Sequence, residues 1–529
     1  MPSHRPEQAL LPRPTRYTPR PGRFALDPAT TVRTAPGAEG AADLLRTLLT
    51  PVTGLPLNSS PTGAIILAVD PGLYGLGEEG YGLTVSAHSV LLRAADPTGL
   101  LRGVQTLRQL LPPEALGPAG AAVRRERWDL PCAEITDIPQ HHWRGLMIDV
   151  ARHFHDTATL RRHVDLMALH KLNVLHLHLT DDQGWRMPIT AYPRLTTVGA
   201  HRSQSVTGPE GATGSDGRPH GGAYTRTELA DLVAYAAQRG VRVVPEVGMP
   251  GHVRAALAAY PYLGNHPERT LDVWTRWGVC ETVLGVHDEV LDFLRAVLHE
   301  VMDVFPSPYV HLGGDECPTT EWEQSPRARA RATAEGLPAP AALHGWLLGQ
   351  AGAHLLEHGR RPVGWAESRV LLPPGFTVMS WRDPAHAVEA LRHGHDVVLT
   401  HHRTTYLDYA QDDFPDGPTA QPGPVVDLRT VHGGDPEPQA PADGRGRILG
   451  TQAQIWTEFA PHAADLDRLA YPRLCALADR AWTGATTWAD FESRLHAHVP
   501  RLDALGVRHH PPTAPRTTTA PPARTAPVA

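Results

Sequence analysis

Lysine is almost missing from this chain. Lys171 is the only one in 529 residues, and nearly all cationic charge is arginine. With the many alanines and prolines, that bias points to a GC-rich genome rather than to a function. Cysteine is also scarce. Cys132, Cys280, Cys317 and Cys475 lie far apart with no Cys-x-x-Cys pair, which excludes a zinc knuckle and a disulfide scaffold. No apolar run is long enough to cross a bilayer. The first 24 residues are rich in proline and arginine and lack the apolar stretch of a signal peptide. A cytoplasmic protein is therefore expected, with secretion hidden only by a misassigned start codon. Positive charge is not in excess either: the formal net charge is −7. This argues against a nucleic-acid partner and against a basic membrane patch.

What is present is a chain long enough for two or more domains, 41% hydrophobic and 20% charged. Residues 64–69, 81–85 and 89–93 read as short strands, the last two as a pair. Residues 99–111 read as a helix with Leu100, Val104, Leu107 and Leu111 on one face. The prolines and glycines of 112–138 read as a linker. From about residue 140, short apolar runs recur and end in polar or aromatic residues: 146–150, 174–179, 241–247, 309–312, 362–365, 376–379, 397–400 and 448–455. Helical patterns lie between several of them. Thr225 to Glu228 fits a capping box that opens a helix closed by Gly240. The expectation is an α/β protein: a (β/α)8 TIM barrel preceded by a small α/β domain. The divisions are an N-terminal extension at 1–12, the α/β domain at 13–138, the catalytic barrel at 139–507 and a disordered Pro/Thr/Ala tail at 508–529. The Gly/Ser/His-rich stretch 199–222 is either a cover for the pocket mouth or a plain surface loop.

Asp315-Glu316 follows an apolar run and two glycines, inside His311-Leu312-Gly313-Gly314-Asp315-Glu316. An isolated Gly-Gly-Asp-Glu is ordinarily a solvated turn. At a barrel strand tip, however, adjacent acids repel, and one of them becomes easy to protonate, as a general acid requires. Trp365, Trp381 and Trp456 each fall near a strand end, where aromatic walls with a few polar groups make a sugar-shaped pocket. Asp408 and Glu458 are placed to accept from sugar hydroxyls, and Arg152 to donate to them. His176 and His178, followed by Asp181-Asp182, admit a metallohydrolase reading. Against it, no second histidine pair has ligand spacing at a later strand end; packed histidines satisfied by backbone groups are the plainer reading.

These residues resemble a known family. The stretch 144–154, then 171–186 with His176-Leu177-His178-Leu179-Thr180-Asp181-Asp182-Gln183-Gly184-Trp185-Arg186, are similar to the opening motifs of the glycoside hydrolase family 20 barrel, the family of the β-N-acetylhexosaminidases. Pro245-Glu246 with Met249-Pro250-Gly251-His252, the segment 311–316, Gly364-Trp365, Tyr406-Leu407-Asp408, and Gly450-Thr451-Gln452-Ala453 with Trp456-Thr457-Glu458 continue the match in order. The first unit resembles the α/β domain that precedes such barrels. The resemblance covers residues 10 to 505.

It implies an exo-acting retaining β-N-acetylhexosaminidase that removes terminal β-linked N-acetylglucosamine or N-acetylgalactosamine with help from the substrate's own acetamido oxygen. Adjacent acids on one strand tip agree, because a two-carboxylate retaining enzyme needs acids on both sides of the anomeric carbon, about 5 Å apart. By the resemblance, Glu316 protonates the leaving oxygen and Asp315 accepts the acetamido N–H. Tyr406 orients the acetamido oxygen, and Asp181 and His252 support Glu316. Trp365, Trp381 and Trp456 wall the sugar, and Arg152, Asp408 and Glu458 bind hydroxyls. No cofactor and no metal are implied; the partner is a carbohydrate, with no nucleic acid, no membrane and no specified oligomeric state. The chain departs from the pattern at Gly248, where an acid usually stands, and after Asp408, where it offers Phe414 in place of a further tryptophan. A relative that releases a disaccharide, and a non-catalytic sugar-binding protein, are the alternatives.

Overall fold

In the computed structural model, residues 10–117, 127–367, 372–412, 420–434, 437–438 and 445–512 are described. The expected tail beyond 512 and Phe414 lie outside the described residues.

The first unit is a six-stranded mixed sheet. Its strands are β1 (Arg16–Leu26), β2 (Val32–Thr34), β3 (Ile65–Val69), β4 (Tyr81–Val85), β5 (Val90–Ala94) and β6 (Trp128–Asp137), in the order β1-β6-β4-β5-β3-β2. Helices α1 (Glu39–Thr53) and α2 (Pro97–Leu110) pack with it through leucine-rich faces. The linker expected at 112–138 is corrected here, because its second half is the inner strand β6. Pro131 misled the reading: it pairs only with β1, at Arg23, whereas β4 begins to pair at Ala133. A proline with no N–H is tolerated where one side of the strand has no neighbour to receive it.

The second unit is a closed barrel of eight parallel strands. They are β7 (Trp143–Asp149), β8 (Val174–His178), β9 (Arg242–Glu246), β10 (Tyr309–His311), β11 (Arg361–Ala366), β12 (Thr377–Ser380), β13 (Val397–Leu399) and β14 (Ile448–Ile455). Continuous apolar runs suit strands buried on both faces. Trp143, Val174, Val244, Val363, Trp365, Met379 and Val398 fill the barrel axis. Outer helices include α3 (Thr157–Leu169), α4 (Arg226–Ala237), α5 (Asp288–Val304), α6 (Leu343–Glu357), α7 (Pro384–Arg392) and α8 (Arg473–Thr483). The eight strands appear as read, but the β-then-α alternation is uneven. Among the described residues, no helix joins β11 to β12, and only short helices lie between β13 and β14. The capping box of α4 is present: Thr225 Oγ1 accepts from the Glu228 N–H, and Glu228 accepts from the Thr225 N–H.

The two units share buried ion pairs. Glu79 accepts from Arg102 of α2 and from Arg144 of β7. Asp137, at the end of β6, accepts from the Nζ of Lys171 at 2.6 Å and from Trp482 Nε1 at 2.8 Å. The chain's single lysine is thus buried at the junction of the two units. No described helix is long and apolar enough to cross a membrane.

Candidate active site

The C-terminal ends of the barrel strands converge on a cavity of about 580 Å³. Its deepest support is Glu246, the last residue of β9 and fully buried. Glu246 Oε1 accepts from Trp365 Nε1 at 2.8 Å, and Oε2 faces His178 Nδ1 at 2.7 Å and His176 Nε2 at 2.9 Å. His176 Nδ1 is met by the Gln452 amide at 3.0 Å, and burial pushes His176 down to about 4, so it is neutral. His178 differs. Burial opposes its charge, but it has a carboxylate at each ring nitrogen, Glu246 and Asp181, and these raise it to about 10. The reading of these histidines as satisfied by backbone groups is therefore corrected: carboxylates and Gln452 hold them. Donor atoms of His176, Glu246 and His311, and of Asp181, Asp182 and His252, lie close enough to share an ion. Yet Glu246 and Asp181 already face N–H donors from indole, imidazole, guanidinium and backbone.

β10 stops at His311, and the chain turns through Gly313 (φ +69) and Gly314 (φ +96). Both glycines are required: a Cβ would lie 3.1 Å from the Gly248 Cα at the first and 3.1 Å from Leu348 at the second, in a backbone region that side chains rarely adopt. Asp315 and Glu316 emerge from this turn, half-buried. His252 stands between Asp182 Oδ2, 3.0 Å from its Nδ1, and Glu316 Oε2, 3.5 Å from its Nε2. Burial opposes its protonation, but Asp181 above all, then Asp182 and Glu316, hold it well above the usual histidine range. Burial would raise Glu316, but the His252 contact, the His252 charge and the Arg382 charge prevail and lower it. Asp315 moves the other way: burial, with Glu246 and Glu316 nearby, raises it to about 7 against the pull of His252. The two adjacent acids are thus shifted in opposite directions, Asp315 up and Glu316 down. The more easily protonated of the two is Asp315, not the anticipated donor Glu316.

Asp408 and Glu458 line the same cavity and are buried. Both oxygens of Asp408, and Oε2 of Glu458, have no hydrogen-bond partner among the described residues. Gln421 Nε2 donates to Glu458 Oε1 at 3.0 Å. Burial, with mutual repulsion, raises Asp408 well above the usual carboxylate range. Buried acceptors without donors are costly unless a ligand supplies them. Arg152 is tied to Gln183, Asp149 and Asp181, and lies over the Trp456 ring at 4.9 Å. Trp381 stacks on Tyr406, with centroids 6.1 Å apart and planes 15° apart, and Tyr406 abuts Trp456 at 6.3 Å.

Of the residues singled out from sequence, Arg152, Asp181, His252, Asp315, Glu316, Trp381, Tyr406, Asp408, Trp456 and Glu458 line this one cavity. Trp365 does not; it is buried, bonded to Glu246 and 6.2 Å from the Trp456 ring, and lines an adjoining cavity. Asp181 does face His252, at 3.5 Å, while also meeting Arg152 and His178; Asp182 is a second and nearer carboxylate, at 3.0 Å. Gly248 does not strand His252, whose acids come from β8; a Cβ at Gly248 would meet only ordinary contacts. The loop at 199–222 reaches the mouth, where Pro209 and Glu210 line the cavity beside Trp277. Sequence reading missed Trp277, Tyr409, Gln421 and Glu210, which sit on loops away from the strand-end motifs.

The sequence pattern of Glycosyl hydrolase family 20, catalytic domain, matches residues 141–485, and that of Glycosyl hydrolase family 20, domain 2, matches residues 7–138. A β-hexosaminidase of Porphyromonas gingivalis is 37% identical over 520 residues, 95% of this chain; the chain spans 64% of that relative's length. A β-N-acetylhexosaminidase of Cellulomonas fimi is 34% identical over 96% of both chains. Among solved structures, the family 20 exo-β-N-acetylglucosaminidase of Vibrio harveyi, in complex with N-acetylglucosamine, superposes with a TM-score of 0.83. It is 32% identical, over 96% of this chain and 79% of that one. The two matched regions and these relatives extend over nearly the whole molecule, and this chain belongs to glycoside hydrolase family 20.

Proposed function

We propose that this protein is an exo-acting, retaining β-N-acetylhexosaminidase that hydrolyses terminal β-linked N-acetylglucosamine or N-acetylgalactosamine by substrate-assisted catalysis. One observation carries the reading: two adjacent carboxyls, Asp315 and Glu316, stand on one strand tip in the cavity, with His252 Nε2 3.5 Å from Glu316 Oε2. Adjacent residues are poorly placed to straddle an anomeric carbon, so the acetamido oxygen serves as nucleophile and an oxazolinium ion forms.

Asp315 accepts the acetamido N–H, which favours its ionised form and sends its proton to Glu316. Glu316 then protonates the leaving oxygen and later takes a proton from water. Tyr406 donates to the acetamido oxygen and aligns it for attack. Asp408, Glu458 and Arg152 hold ring hydroxyls of the terminal sugar. Trp381 and Trp456 cover the sugar faces. No step calls on a metal or cofactor.

The test uses aryl β-N-acetylglucosaminides whose acetyl group carries zero to three fluorines. Rates are expected to fall steeply with each fluorine, because the carbonyl oxygen becomes a poorer nucleophile. An unchanged rate across the series, or equal hydrolysis of the aryl β-glucoside, overturns the reading.

A further inference from the structure

Glu316 has φ +46, a left-handed conformation that a residue with a side chain rarely adopts. Something must hold it there, and the neighbouring strand ends supply it. Glu367, one residue beyond β11, accepts the Glu316 backbone N–H in a short bond through Oε2. Its other oxygen lies 2.8 Å from Arg382 Nη2, two residues beyond β12. The same Nη2 reaches Glu316 Oε1 at 3.0 Å. A single nitrogen with two hydrogens thus joins two carboxylates, and Glu367 grips Glu316 at both its backbone and its carboxyl end. The Arg382 guanidinium is held over the Trp381 ring, 4.4 Å from its centroid.

Neither Glu367 nor Arg382 lines the cavity with Asp315, Tyr406 and Asp408. Both line an adjoining cavity of about 660 Å³ that meets the first at Glu316 and Val279. They reach Glu316 from that adjoining cavity. We propose that Glu367, directly and through Arg382, is a positioning residue that keeps the Glu316 carboxyl aimed at the leaving oxygen; this rests on Glu316 being the proton donor. Arg382 also balances the charge left on Glu316 once its proton is given, while the negative charge of Glu367 keeps Arg382 from holding Glu316 too tightly to be protonated.

A residue acting through the proton donor matters most when the leaving group needs a proton. The test compares wild type, Glu316→Gln, Glu367→Gln and Arg382→Gln on aryl β-N-acetylglucosaminides from 2,4-dinitrophenyl to unsubstituted phenyl. Circular dichroism and thermal melts check folding, and Arg382, being exposed, is the variant least exposed to misfolding. For Glu367→Gln we expect kcat on the phenyl glycoside to fall roughly ten- to a hundredfold, as for partial loss of general acid catalysis. On the dinitrophenyl glycoside it should stay within about threefold, since no proton is needed there, and KM should move little. Arg382→Gln should give the same slope at smaller amplitude. An equal loss across leaving groups in both variants, or no loss in either, overturns the proposal while Glu316→Gln retains the steep dependence. If Glu316→Gln itself shows no leaving-group dependence, the donor assignment fails and takes the proposal with it.

Discussion

Asp315 and Glu316 are neighbours with opposite fates. Glu316 faces two cations, His252 and Arg382, and is held ionised; Asp315 has acids and burial around it and holds the proton at about 7. Activity needs one proton on the pair, whichever residue stores it before substrate arrives, so the two titrate as a unit. Raising pH through about 7 removes that proton, and kcat/KM should fall above that pH; lowering it below the depressed Glu316 range adds a second proton and should also cut the rate. In Asp315→Asn the proton must be stored on Glu316 alone, whose affinity is lowered, so the alkaline limb should move to lower pH. Turnover should fall roughly a hundred- to a thousandfold with loss of this charge-stabilising acceptor. A pH–rate profile of both proteins checks the shift, and an unmoved alkaline limb would show that Asp315 does not store the proton. The identity of both acids was legible in the string Gly313-Gly314-Asp315-Glu316. Which one carries the proton was not, because Glu246 and His252 come from the end of β9 and Arg382 from the end of β12.

At the scale of the element, motifs that are local in sequence read well. The α4 capping box joins residues three apart, and its two hydrogen bonds form as the spacing predicts. Thr225→Ala should cost about 1 kcal/mol, seen as a lower denaturant midpoint with unchanged slope and unchanged kcat per folded molecule. The barrel strands were legible for a related reason, since burial on both faces leaves an apolar run that needs no partner to be recognised. β6 was not, because prolines dominate its surroundings, and only pairing with β1 and β4 shows that Pro131 faces a gap. Likewise, the loop carrying Glu210 has no apolar pattern, and its approach to Trp277 at the cavity mouth follows from how the chain folds back.

At the scale of the molecule, the small domain is fastened to the barrel by buried charge. Burial would raise Glu79, but Arg144 and Arg102 together hold it at about 2. A depressed carboxyl stabilises the fold fully above its unfolded value near 4.5 and loses that contribution as pH falls through about 2. Acid unfolding is therefore expected to draw on this site between those values. Glu79→Ala leaves two buried guanidiniums without their carboxylate and should cost about 3–5 kcal/mol. Chemical denaturation followed by both fluorescence and activity checks it; unchanged stability would mean that Glu79 does not fasten the two units.

By itself the sequence determined the two-unit α/β plan, the eight strands, the family and ten of the cavity-lining side chains. All of these follow from short-range patterns: apolar runs, capping spacings, and motifs at strand ends that a barrel must bring to one face. The tertiary structure alone decided that Trp365 is bonded to Glu246, that Asp182 is the closest carboxylate partner of His252, and that Glu367 and Arg382 contact Glu316. Each of these depends on the distance between residues tens to hundreds of positions apart. Charge and hydrogen bonding act through space, and only the closed barrel sets those distances.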